Sequence, residues 1–258
     1  LHPHLLFFKI YSIIQIMILQ KQTKEKYKSD KLSRKQLSDF FNDYEKEEKE
    51  YDTLWDNWFL SESIHCHQDY GGEYAGSGTL DYIEGLILYT LVRKNKPKIV
   101  FEIGTAQGMS AALMASAVET NQNNGKIFCV DIKLPHRMSP TFSKAMENGI
   151  IEFYEADVFE FLGVIPEIPD LIFVDADHRE EFCMKITKTL VNSFPDAIYA
   201  YHEWSLSTIS QKPEIEYISR SEWLYQFYER PAFELYFNNP KYKHNGFIGS
   251  CGLGVVTQ

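Results

Sequence analysis

Five short, mostly apolar runs recur through the middle of the chain, at residues 98–103, 126–131, 150–155, 170–174 and 196–201. Runs of this length without apolar–polar alternation suit strands that are covered on both faces. Helical periodicity fills several of the gaps, over 107–119, 158–162 and 178–191, as crossovers between parallel strands require. The pattern predicts an α/β fold with a doubly wound, mostly parallel sheet. The tail departs from it: 221–229 reads as helix, and 232–237 and 247–256 read as strands joined through 238–246. Those two strands predict a C-terminal antiparallel pair and bring the expected sheet to seven strands.

Upstream, residues 33–59 place Leu37, Phe40, Phe41, Tyr44, Tyr51, Leu54, Trp55 and Trp58 between charges, with Ser33 as cap. This predicts one or two amphipathic helices beside the main domain, and the acidic run at 45–50 reads as a water-facing side. Residues 61–79 read as loop, because the stretch Asp69-Tyr70-Gly-Gly-Glu73-Tyr74-Ala-Gly-Ser-Gly78 is too glycine-rich for a stable helix. It is a candidate lid over a ligand. A helix is expected to restart at Thr79 and stop before Asn95-Lys96-Pro97. The expected organisation is therefore a leader or accessory segment over 1–32, a helical region with lid over 33–78, and the main domain over 79–258.

Residues 5–19 are apolar except for Lys9, Ser12 and Gln15, short of the roughly 20 apolar residues a spanning helix needs. An accessory helix, a leader upstream of Met17 and membrane association are the three readings. The net charge of -10 gives no general attraction to a phosphate backbone and disfavours nucleic-acid binding. The lysines at 21, 24, 26, 28 and 31 then read as a solvated stretch. Cys66, Cys129, Cys183 and Cys251 lack paired spacing, so neither a disulfide framework nor structural zinc is indicated. His65-Cys66-His67 reads as incidental loop residues. A cytoplasmic location is expected, and the aromatic N-terminal region is compatible with a homo-oligomer.

The sharpest motif is Glu102-Ile-Gly104-Thr105-Ala-Gln-Gly108-Met-Ser110, between a strand and a helix. Its glycines permit a tight turn beneath a bound molecule, and the helix start offers N–H groups. Asp131 ends the second strand, where a carboxylate suits two ribose hydroxyls; Asp157 follows the third, where it suits an adenine amino group.

On these residues, together with Val174-Asp175-Ala-Asp177-His178, the chain from about Gly72 onward resembles class I S-adenosylmethionine-dependent methyltransferases. The resemblance implies that Glu102 lies near the methionine amino end, that Gly104 meets the cofactor through its backbone, and that Asp131 is the ribose acid. A nicotinamide-binding domain is the nearest competitor. The loop has no GxGxxG, since Glu102 stands at the first glycine position, where a pyrophosphate is repelled and an ammonium attracted.

Two polar groups follow the fourth and fifth strands: Asp175-Ala-Asp177-His178 and His202-Glu203-Trp204. Neighbouring parallel strand ends can bring them together, and Asp175 with Glu203 could hold a hard cation. The cluster resembles that of metal-dependent natural-product and sugar O-methyltransferases. That resemblance implies Mg2+ or another divalent ion on Asp175 and Glu203, with His178 as base; His202 stands where many relatives carry another acid, and its ligand role is open. A cation lowers the pKa of an alcohol and an imidazole accepts its proton. Asp177 reads as a helix cap. The expected function is O-methylation of a small hydroxylated acceptor, a sugar or glycosylated product being favoured. An NAD-linked oxidoreductase and a non-catalytic cofactor-binding assembly protein are the alternatives.

Overall fold

The computed structural model describes residues 21–22, 24–59, 80–134, 138–202, 240–247 and 253–257. The apolar segment 5–19, the loop 61–79 with its histidines and glycines, the expected helix 221–229 and the expected strand 232–237 lie outside these residues. Among the described residues no helix is long and apolar enough to cross a membrane.

Two helices, α1 (Lys31–Phe41) and α2 (Glu45–Leu54), lead through a π-helical turn at Trp55–Phe59. Then follow α3 (Tyr82–Asn95), β1 (Ile99–Ile103), α4 (Met109–Asn121), β2 (Lys126–Asp131), α5 (Pro140–Glu147) and β3 (Ile151–Glu155). The second half runs α6 (Val158–Phe161), β4 (Leu171–Val174), α7 (Glu180–Ser193), β5 (Ile198–His202), β6 (Lys243–Phe247) and β7 (Leu253–Thr257). The strands form one sheet in the order β3-β2-β1-β4-β5-β7-β6. Pairing is parallel from β3 through β5, and antiparallel for β5 with β7 and β7 with β6.

Successive side chains of a strand point to opposite faces, so each strand feeds two cores. Val100, Ile127, Cys129, Leu171 and Phe173 pack with α3, α4 and α5, whereas Phe101, Ile103, Phe128, Ile172 and Val174 pack with α6 and α7. This two-sided burial is why the strands read as continuous apolar runs.

Several local expectations are corrected. The antiparallel pair sits at Lys243–Phe247 and Leu253–Thr257, so its first strand occupies part of the stretch taken for the connection. The sequence Lys-His-Asn-Gly-Phe carries no apolar run; pairing with β7 imposes the strand. Helix α5 was not expected, although Ser139 accepts a hydrogen bond from Phe142 N and Pro140 opens the helix. Ser33 is inside α1 and donates to Asp30 Oδ2 at 2.6 Å.

The acidic run is a wet face only in part: Glu45, Lys46 and Lys49 are exposed. Glu48 is buried and takes Lys28 at 2.7 Å and Arg34 at 3.5 Å. Glu50 receives Arg93 Nε from α3 at 2.8 Å. The expected solvated lysines are partly consumed in the same way, Lys24 by Asp52 and Asp56. Charge pairing and the rings of Tyr27, Tyr51, Trp55 and Tyr82 thus fasten the N-terminal helices over the start of α3.

Candidate active site

The chain leaves β1 and reverses between β2 and β4, the topological switch point at which an open α/β sheet opens a crevice. Gly104 has φ +86 and donates its N–H to Val130 O at 2.9 Å. On its other side Asp175 N donates to Ile103 O at 2.8 Å. The loop after β1 therefore lies against both neighbouring strand ends. Gly108, with φ +79, precedes α4, and the Phe142 ring fills the space where its Cβ would be.

Glu102 points from β1 into the interior and is wholly buried. Its Oε1 accepts from Ser110 Oγ at 2.5 Å. Among the described residues, Oε2 and the neighbouring Thr105 Oγ1 are buried without a well-formed hydrogen bond, although the Cys129 thiol and the Thr105 hydroxyl lie close enough to pull the carboxyl down. Burial, with a smaller contribution from the Asp175 charge, pushes the Glu102 carboxyl up to about 7 against the pull of Ser110. Ser110, expected to touch a cofactor, donates to this carboxyl.

Asp131 Oδ2 accepts from Thr105 N at 2.8 Å and Ala106 N at 3.0 Å, so the acid at the end of β2 first shapes the loop. Asp157 Oδ1 accepts from Phe159 N at 2.8 Å and caps α6. Exposed Ile132 and Leu134 lie on the rim next to Asp131.

A second cluster grows from the ends of β4 and β5. His202 Nδ1 lies 3.0 Å from Asp175 Oδ1, and His178 Nε2 lies 3.7 Å from that same oxygen. The other ring nitrogen of His202, Nε2, lies 3.4 Å from Glu84 Oε2. Glu84 is fixed in turn by the start of α3: its N–H donates to Asp81 Oδ1 at 2.8 Å while its Oε2 accepts from Asp81 N at 2.9 Å, a reciprocal capping box. Burial opposes a charge on His202, yet Asp175 and Glu84 hold its pKa well above the ordinary imidazole value. Burial likewise pushes Asp175 up, and the His202 and His178 rings outweigh it, holding the carboxyl below its usual range.

The structure gathers Glu102 at the end of β1, Gly104, Thr105 and Gly108 in the loop after it, Ser110 in the first turn of α4 and Asp131 at the end of β2, and sets Asp175, His178 and His202 beside them. Glu203 and Trp204 lie outside the described residues. Asp177 is not the residue at the N-cap of α7; Arg179 is, and Asp177 accepts from Arg179 N and Nε at 3.0 and 2.9 Å. Glu84 was missed. The spacing Asp81-x-x-Glu84 signals a capping box, but nothing local signals a histidine beneath it.

These residues fit S-adenosylmethionine. Glu102 Oε2 and Thr105 Oγ1 make no well-formed hydrogen bond among the described residues, and a carboxyl beside a hydroxyl offers oxygens that an α-ammonium, a compact cationic donor, can use. The fit to a divalent cation fails among the described residues. No group of three His, Cys, Asp or Glu side chains gathers to hold a metal ion, and the expected ligand His202 has both ring nitrogens against carboxylates.

Residues 101–202 match the family model described as a methyltransferase domain. No curated protein matches the chain. Among solved structures, the chain is similar to the Podospora anserina methyltransferase bound to S-adenosylhomocysteine, with a TM-score of 0.59 and 15% identity over 83% of this chain and 95% of that one. It is also similar to the O-methyltransferase of Bacillus cereus in complex with S-adenosylhomocysteine, with a TM-score of 0.51 and 18% identity over 71% of this chain and 84% of that one. The segment matched by the methyltransferase-domain model carries the Glu102 loop, Asp131 and the Asp175 turn, and the likeness to the two solved structures is one of fold.

Proposed function

We propose that the chain methylates an oxygen of a small hydroxylated acceptor, a sugar or glycosylated product in the first instance. The observation that supports this reading is the adjacency of two unlike clusters, the loop at Gly104 packing directly on the Asp175 backbone. Buried acceptors at Glu102 and Thr105 suit an ammonium, and the Asp175–His178 pair beside them suits the proton of a hydroxyl.

When bound, S-adenosylmethionine supplies an electrophilic methyl on a sulfonium leaving group. Glu102 and Thr105 would hold its amino end, Asp131 its ribose hydroxyls and Asp157 its adenine amino group. His178 accepts the hydroxyl proton as the oxygen attacks, and Asp175 keeps that imidazole oriented and stabilises the charge it acquires. Alignment of the oxygen with the methyl carbon is the main remaining task. Asp175 and Glu203 would be the ligands of a divalent cation, but the described donors do not assemble one, and the proton leaves through His178.

The test is turnover of labelled S-adenosylmethionine over a panel of sugars, glycosides and phenols, with and without EDTA. His178→Gln is expected to lower kcat by roughly 100- to 10,000-fold while leaving S-adenosylhomocysteine affinity unchanged. Binding of NADH but not of S-adenosylhomocysteine would overturn the reading in favour of an oxidoreductase.

A further inference from the structure

Strand β3 ends the sheet on one side, with β2 as its neighbour and no strand beyond it among the described residues. Ile150 O accepts from Ile127 N, and Ala156 N donates to Asp131 O. Backbone groups alternate in direction along a strand, so the even-numbered residues serve β2. The N–H and C=O groups of Ile151, Phe153 and Glu155 therefore point outward, as a template for further pairing.

An open groove of about 750 Å3 is lined by Phe153, Tyr154, Glu155, Glu160, Phe161 and Val164. Phe153 and Tyr154 belong to opposite faces of the sheet: the first meets Phe142 of α5 and the second Phe161 of α6, at centroid distances of 6.4 and 4.5 Å. A groove that touches both follows the strand edge itself. Val164 and Ile168, in the connection from α6 to β4, are 74% and 78% exposed, two of the four large apolar side chains left open among the described residues. Outward backbone beside an apolar rim is what strand addition uses, main-chain hydrogen bonds supplying affinity and alternate side chains specificity. Charge selects the occupant. Glu155 and Glu160 are exposed, no basic residue lines the groove, and Glu152 on the same strand is taken by Lys126 at 2.6 Å. A second copy of the chain brings the same acids to this edge and is repelled.

We propose that the outer edge of β3 is a docking site for an extended segment of a partner protein in which basic and apolar residues alternate, added to the sheet as a further strand. Its apolar side chains cover Val164, and its cations meet Glu155 and Glu160. The site is separate from methyl transfer, since β2 and β1 stand between β3 and the strand that carries Asp175.

The test uses the full chain and two fluorescein-labelled octapeptides, one alternating valine with lysine and one alternating valine with glutamate, followed by anisotropy and amide hydrogen exchange. Expected are saturable binding of the lysine peptide, binding of the glutamate peptide weaker by about tenfold or more, and slowed exchange at Ile151, Phe153 and Glu155. Val164→Asp separates docking from general attraction to an acidic protein. It adds negative charge, so general attraction tightens the lysine peptide, whereas a lost apolar contact weakens it by about fivefold or more. Equal affinity for the two peptides, binding without protection at β3, or tighter binding by Val164→Asp overturns the proposal. So does self-association of the free protein in sedimentation that Val164→Asp abolishes, which would make a second copy the occupant. If Val164→Asp does not fold, the wild-type exchange data decide.

Discussion

Gly104 and Asp175 meet backbone to backbone: a Cβ on Gly104 would come within 2.0 Å of the Asp175 carbonyl oxygen. The loop after β1 and the turn after β4 are thereby held as one unit, because neither can shift without the other. The absence of a side chain at 104 is a packing requirement as well as a conformational one, since φ is +86 there.

Gly104→Ala is therefore expected to be among the most damaging single changes in the domain. The left-handed backbone and a contact with rigid main chain together cost more than about 3 kcal/mol. Denaturant unfolding should show the loss, and S-adenosylhomocysteine binding should vanish with it. Gly108→Ala is expected to be milder, because the added Cβ meets a side chain, the Phe142 ring, rather than main chain.

Asp131 separates binding from stability. Its Oδ2 holds two loop N–H groups, but the residue is half-buried, so water replaces it at modest cost. Asp131→Ala is expected to weaken S-adenosylhomocysteine by roughly 10- to 100-fold, or about 1.4 to 3 kcal/mol. Its unfolding free energy should change by less than about 1 kcal/mol. Calorimetry and urea titration on the same sample check both.

Glu102 should write a pH dependence on the unliganded protein. Its carboxyl is raised from 4.5 to about 7 in the fold, chiefly by burial. The native state then binds more protons than the unfolded chain between these values, and stability falls as pH rises. Its contribution is whole below 4.5 and lost on passing 7, a difference of about 3 kcal/mol. Urea unfolding at several pH values should show this slope, and Glu102→Gln should flatten it.

The sequence is most legible where local chemistry and tertiary placement agree. The five parallel strands announce themselves because both faces of residues such as Val100 and Phe101 are buried. The turn at Gly104 and Gly108 is legible because each glycine carries a positive φ. Strand β6 is not, since its pairing comes from β7 rather than from its own polar residues. The acidic run misleads because Glu48 and Glu50 meet cations 20 and 43 positions away. The Glu84–His202 contact spans 118 positions, and its two ends carry no shared local pattern, so only the sheet order brings them together.

Tyr51 and Gly85 offer a test of how α2 sits on α3. The Tyr51 hydroxyl is wholly buried and has no hydrogen-bond partner among the described residues, and a Cβ on Gly85 would come 2.2 Å from that oxygen but 3.2 Å from the ring carbon behind it. Tyr51→Phe removes an unsatisfied buried group and is expected to stabilise by about 1 kcal/mol. Gly85→Ala alone is expected to destabilise, because the hydroxyl is in the way despite a helix-propensity gain of about 1 kcal/mol. With the hydroxyl gone, the methyl needs only a few tenths of an ångström of adjustment. The double variant should therefore be more stable than the sum of the two single changes allows, by about 1 kcal/mol or more. A double-mutant cycle in urea measures this coupling directly, and strict additivity would mean that the two helices do not meet through these atoms.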